Sequence, residues 1–181
     1  MRINILLSAV IGACTLSMAW FAQLYFTQLQ MPMAMFGVLW TALNLVVGLF
    51  SWLAHKIEDR FTPAGTVFII VAILPLCYLL AAYNIGYFGV AVIFVFYAIR
   101  GIATPVLKDY VNRIAPTQSR ATVLSARSFI IRIAFAILGP IFGLIINVYS
   151  LQLAMCLAGI MFLIAGAFLF RLFQKHAVPN K

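Results

Sequence analysis

Residues 3–54 read INILLSAVIGACTLSMAWFAQLYFTQLQMPMAMFGVLWTALNLVVGLFSWLA, from Ile3 to Ala54, without one Asp, Glu, Lys, Arg or His. A bilayer core is about 30 Å thick, and about 20 apolar residues of helix cross it. The stretch is long enough for two crossings, and Pro32 supplies the turn between them. Phe61–Ile99 is uncharged in the same way and again holds two crossings. Ile133–Leu169, continuing to Phe170, holds one crossing and the end of another that starts near Arg120. The chain therefore reads as an all-α polytopic membrane protein, a single six-helix transmembrane bundle spanning 1–181. The helices are expected at about 4–26, 33–55, 65–83, 86–109, 121–147 and 150–172. Turn chemistry at Pro32, Thr62-Pro63, Asn84, Pro116 and Asn147–Ser150 marks the breaks.

Of the 181 residues, 66% are hydrophobic and only 8% charged, more apolar surface than a soluble core of this size can use. A net charge of +9 would point a soluble protein toward nucleic acid. Here the positions of the charges exclude that class. If the N-terminus is cytoplasmic, the same side receives Arg2, Lys56, Arg60, Lys108, Arg113, Arg120, Arg171, Lys175 and Lys181. The opposite loops, near Gln28–Met33, Tyr83–Gly86 and Asn147–Ser150, carry no charge. This is a positive-inside pattern. It predicts a multi-pass protein of the cell (inner) membrane with both termini cytoplasmic, the lipid bilayer as its first partner, and no nucleic acid.

Arg2 followed by an apolar run has the look of a signal peptide, and Ile11-Gly12-Ala13-Cys14 that of a lipoprotein cleavage box. The run continues to Phe26, which is helix length, so a retained first helix is expected. Cys14, Cys77 and Cys156 fall inside predicted helices without metal-ligand spacing and read as buried free thiols. The tail from His176 to Lys181 is short and polar, and is expected to fray.

Polar and small residues recur at helical spacing on four helices. The first carries Asn4, Ser8, Gly12, Thr15, Ala19 and Gln23, and the second Gly37, Thr41, Asn44, Gly48, Ser51 and His55. The fourth carries Gly86, Gly89, Tyr97, Arg100 and Thr104, and the fifth Ser125, Ser128, Arg132, Gly139 and Gly143. The third and sixth are apolar all round, apart from Tyr78 and Gln152. Two striped helices followed by a greasy one, twice, predict two three-helix repeats. The striped helices should pack closely or border water, and the greasy ones should face lipid.

Arg100 and Arg132 are the deepest charges. An arginine at the helix centre costs about 2.5–3.5 kcal/mol on insertion scales. The acids are Glu58, Asp59 and Asp109, all near the cytoplasmic face, so neither arginine has a carboxylate at its own depth. Two readings stand. The arginines line a hydrated cavity for an anionic or polar solute, or they snorkel or bond to carbonyls freed at Pro105 or Pro140. The cavity reading selects Arg132, Arg100, Tyr97, Gln23, Thr15 and Asn44.

A second group, His55, Lys56, Glu58, Asp59, Arg60, Asp109, Arg113, Arg120 and Arg127, clusters at helix ends. It is either a gating latch between helices or a solvated set of pairs worth about 0–1 kcal/mol each. Gly139-Pro140-x-x-Gly143 is a helix-bend motif, read either as a fixed kink or as a pivot.

These features together resemble one six-helix half, more nearly the C-terminal half, of a major facilitator superfamily transporter. The resemblance is carried by Ser51-x-x-Ala54-His55-Lys56-x-x-x-Arg60, by Arg100-Gly101 with Pro105 and Asp109-Tyr110, by Arg120-Ala121-Thr122-Val123-Leu124-Ser125, and by Gly139-Pro140-x-x-Gly143. It covers essentially the whole chain. It departs where Ser51 replaces a glycine and His55 an aspartate of the loop signature, which weakens the latch it implies. The Gly-Pro motif belongs to the other half in that family. The family's pathway runs between two halves, and this chain supplies one.

The resemblance implies secondary transport of a small solute by alternating access, and the cavity reading of the arginines makes that solute anionic or polar. The chain would act as a half-size unit in a homodimer, or in a heterodimer with another six-helix half. The first, second, fourth and fifth helices should supply the contact. The rivals are a non-transporting six-helix subunit of a larger complex and one half of a split transporter. Nothing in the sequence suggests an enzyme, a metal site or a cofactor: paired carboxylates, a His cluster and a nucleophile–base set are all missing.

Overall fold

Proline and hydroxyl side chains set where the helices begin. The computed structural model describes residues 2–58, 60–83 and 85–176. Asp59, the Asn84 turn and the tail 177–181 lie outside the described residues. Six helices follow one another: α1 (Arg2–Gln28), α2 (Met33–Glu58), α3 (Pro63–Tyr83), α4 (Tyr87–Ile114), α5 (Arg120–Val148) and α6 (Leu151–His176). All six are long and apolar enough to cross a membrane. This is a multi-pass architecture, with no strand among the described residues.

The breaks follow local chemistry. Gln30 takes φ 52° after α1. The Met31 N–H reaches the Phe26 carbonyl at 3.3 Å and the Gln30 N–H reaches that of Thr27 at 3.0 Å, the paired bonds of a Schellman stop. Thr62 Oγ1 accepts the Gly65 N–H at 3.1 Å, with Pro63 at the first helical position of α3. Ser150 Oγ accepts the Leu153 N–H at 3.1 Å and opens α6. The end of α4 lies at Ile114, beyond the expected 109. Asp109 and Arg113 pair one turn apart and extend the helix. It stops only where Pro116 drives Ala115 to an extended φ −78°, ψ 131°.

The short links make successive helices antiparallel. α1 and α4 are the inner helices, each with more than half of its spanning window buried. α4 packs on α2 and α3, α1 packs on α5 and α6, and α3 packs along α6. Glycines set the closest approaches. A Cβ on Gly101 would stand 2.7 Å from the backbone oxygen of Val47, so α2 and α4 meet backbone to backbone. One on Gly12 would meet the side chain of Ile131 on α5.

Tyr78 closes the middle of the core. Its hydroxyl donates to the Cys14 carbonyl at 2.7 Å, and its ring meets Phe21, Phe96 and Phe162. At the uncharged end, the Tyr25 hydroxyl donates to the Gly86 carbonyl at 3.1 Å and accepts the Gly86 N–H at 3.0 Å. Cys14 and Cys77 are buried thiols, while Cys156 is half-buried.

The exposure of the helices differs from the expectation. The greasy helices α3 and α6 are not the outermost. Half of the α3 window is buried, against 6% for each of α2 and α5. Along α6, Ala154, Met155, Ala158 and Phe162 are buried, while Leu157, Ile160 and Ile164 face outward. Core-facing and lipid-facing surfaces are equally apolar in a membrane protein, so an all-round apolar helix is free to bury one face.

Candidate functional site

Within the expected gating cluster three side chains come together among the described residues, and Asp59 lies outside them. Arg113 Nε lies 2.6 Å from Asp109 Oδ2, and its Nη2 lies 3.7 Å from Glu58 Oε1. The bridge ties the end of α2 to the end of α4. Its acid is the sheltered partner: the Glu58 side chain is 10% exposed and that of Arg113 57%. The other members go elsewhere. Lys56 lies over Trp52 of its own helix, 5.2 Å from the ring centre. Arg127 Nε donates to Ser8 Oγ and so ties α5 to α1. His55, Arg60 and Arg120 are exposed and have no ion-pair partner among the described residues.

Arg100 is half-buried, with its guanidinium 5.1 Å from the centre of the Tyr97 ring. Tyr97 is fully buried and meets Trp40 of α2 edge-on at 6.1 Å. The pair therefore sits in the α2–α4 seam. Neither Arg100 nor Arg132 bonds a freed carbonyl near Pro105 or Pro140 among the described residues.

Arg132 occupies an open groove between α4 and α5. Thr104 and Lys108 form one wall; Ser125, Arg127, Ser128 and Arg132 form the other. Lys108 and Thr104 were not joined to Arg132 by the sequence. The available signal was their spacing of four on one face of α4, matching Ser125, Ser128 and Arg132 at three, four and seven on α5.

The remaining cavity candidates do not converge with it. Asn44 donates from Nδ2 to the Trp40 carbonyl at 2.8 Å and lies in a separate groove on α2 with Thr41 and Gly48. Thr15 is half-buried and donates to the Gly12 carbonyl at 2.9 Å. Gln23 is exposed on α1.

α5 continues without a break through Pro140. Gly139 and Gly143 admit no neighbouring backbone: the nearest atom to a Cβ on Gly139 is the Phe135 ring at 3.8 Å, and nothing lies within 4 Å at Gly143. They open a small recess against α1, lined by Ser17, Trp20, Phe21 and Phe142. A close backbone approach of that kind occurs instead at Gly101, against Val47 of α2. No family model matches the chain, and no curated protein matches it significantly.

Proposed function

We propose that the chain is one six-helix unit of a secondary transporter, moving a small polar or anionic solute between itself and a second six-helix unit. One observation carries this reading. α2 and α5 are membrane-length helices that pack on one side only, each with just two buried residues among those described. Their uncovered faces hold Thr41, Asn44 and Gly48 on α2, and Ser125, Ser128 and Arg132 on α5. Polar side chains and an arginine facing lipid are costly, so water or a partner covers them. A second unit would enclose both faces.

The packing order supports a 3+3 arrangement of the major facilitator type. Exchanging α1 with α4, α2 with α5 and α3 with α6 turns the α2–α4 contact into α5–α1, and α3–α4 into α6–α1, all of which are extensive. In this reading the Arg113–Glu58 bridge lies at the cytoplasmic end, in the cell's inner membrane, by the positive-inside rule. A second copy inserted in the same orientation can supply the missing half.

The test is the native mass of the detergent-solubilised assembly, together with solute uptake into liposomes by that same assembly. A two-unit particle that moves a solute supports the proposal. A stable monomer with full activity sinks the two-unit model. An assembly that moves nothing across anionic, neutral and cationic panels, while staying bound to other proteins, supports a non-transporting subunit instead.

A further inference from the structure

We infer that the α4–α5 groove is a binding site for a phosphoryl group. Three cations line it, Lys108, Arg127 and Arg132, with the hydroxyls of Thr104, Ser125 and Ser128, and no acid. The disposition of the carboxylates makes this charge available. The described acids, Glu58 and Asp109, both pair with Arg113. Lys108 and Arg132 are exposed and have no ion-pair partner among the described residues.

The site is also partly organised in advance. Arg127 is held in place by Ser8 of α1. Thr104 and Ser128 donate to the carbonyls of Arg100 and Leu124, both at 3.0 Å, and so hold their hydroxyls against their own helices. The Ser125 hydroxyl is exposed, makes no hydrogen bond among the described residues and is free to donate to a ligand.

The charge count selects the ligand. A carboxylate carries one charge and would leave two cations uncompensated. A phosphomonoester carries nearly two charges and three acceptor oxygens. The guanidinium of Arg132 presents two parallel donors to such a group, which an ammonium cannot do. Arg132 stands twelve residues along α5 from Arg120, about 18 Å at 1.5 Å per residue. Lys108 lies nearer the charged end. The groove therefore extends from the membrane surface inward, open both to a soluble phosphate and to an anionic lipid headgroup. Binding here does not depend on transport, because a non-transporting subunit would present the same groove.

The full chain, purified in maltoside micelles, is titrated with inorganic phosphate, with acetate at matched ionic strength, and with short-chain phosphatidic acid against phosphatidylcholine. Binding is read directly and as a rise in the unfolding midpoint. Phosphatidic acid or inorganic phosphate, each with nearly two negative charges, should bind; acetate, and phosphatidylcholine, whose phosphodiester is offset by its own choline, should not. Arg132→Gln and Lys108→Gln should each weaken binding about tenfold, and Arg132→Lys several-fold. Arg171→Gln removes an exposed charge on α6 and should change it less than about twofold. Ser125→Ala, a mild change at an exposed position, keeps the test decisive if an arginine variant fails to fold. Response to phosphatidic acid alone identifies a lipid headgroup as the source, and response to phosphate as well a soluble anion. The inference is overturned if neither probe binds, if acetate binds equally, or if Arg171→Gln weakens binding as much as Arg132→Gln.

Discussion

Gly101 of α4 sits so close to Val47 of α2 that a Cβ there would stand 2.7 Å from the Val47 carbonyl oxygen and 3.2 Å from its Cα. Both clashing atoms are backbone, so neither can rotate away. Gly101→Ala must move the whole of α2, at a cost of about 1–3 kcal/mol. Gly37→Ala on the open face of the same helix meets nothing within 4 Å. It should be neutral or stabilising by up to about 1 kcal/mol through helix propensity. Unfolding midpoints of the two variants in detergent should move in opposite directions, or only that of Gly101→Ala should move. Equal shifts would contradict the backbone contact.

Tyr78→Phe removes the hydroxyl that donates to the Cys14 carbonyl. That carbonyl lies within α1 and keeps its own helical acceptor role, so no buried group is orphaned. The expected loss is about 0.5–1 kcal/mol, the usual size for an interhelical hydrogen bond in a membrane. Tyr78→Ala also empties the space between Phe21, Phe96 and Phe162 and should cost about 3–5 kcal/mol. A Phe variant as unstable as the Ala variant would show that the hydroxyl carries more than one bond.

The Arg113 bridge should be asymmetric. Its contact with Asp109 is short and its contact with Glu58 is 3.7 Å, while Arg113 itself is largely exposed. Double-mutant cycles with Arg113→Gln should give a larger coupling to Asp109→Asn than to Glu58→Gln, both within about 1 kcal/mol and falling with salt. A coupling to Glu58 of several kcal/mol would mean that the bridge is a buried latch.

Single cysteines report orientation. With Cys14, Cys77 and Cys156 replaced, cysteines at Gln30 and Ser150 should react with an impermeant thiol reagent added outside the cell. Cysteines at Thr62 and Thr117 should react only after the membrane is opened. The reverse pattern would invert the assignment.

Oxidative crosslinking between copies separates the covered faces from the lipid faces. Cysteines at Thr41 and Gly48 of α2 and at Ser128 of α5 should crosslink, since these faces are open in the single chain. Cysteines at Phe68 of α3 and Ile164 of α6 should not. Crosslinks confined to Phe68 and Ile164 would place the contact on the other side of the bundle.

Much of the candidate site was legible before the fold. Arg132 on its stripe, with Ser125 and Ser128, follows from helical spacing alone, as does the pairing of Asp109 with Arg113 one turn apart. The convergence of Lys108 and Thr104 on Arg132 was not legible, because it depends on the rotation of α4 about its own axis relative to α5. The cavity set was scattered for the same reason. Tyr97 and Asn44 share the polar-stripe signature with Arg132, yet Tyr97 turned into a helix seam and Asn44 onto a separate groove.

By itself the sequence determined six membrane-length helices, their approximate ends at Pro32, Thr62-Pro63, Pro116 and Ser150, and the gathering of charge at alternate loops. These are local properties: hydropathy, capping and charge do not depend on what a helix touches. Only the tertiary structure decided which helices are inside. A bilayer solvates an apolar face as well as a protein core does, so hydrophobicity could not tell that α3 buries half of its span and α6 39%, while α2 and α5 stay open. The structure also decided the fate of the charges. Asp109 pairs with Arg113 within α4; by bringing the end of α2 up to that of α4 the fold directed Glu58 to the same arginine, and so left Lys108 and Arg132 unneutralised in one groove.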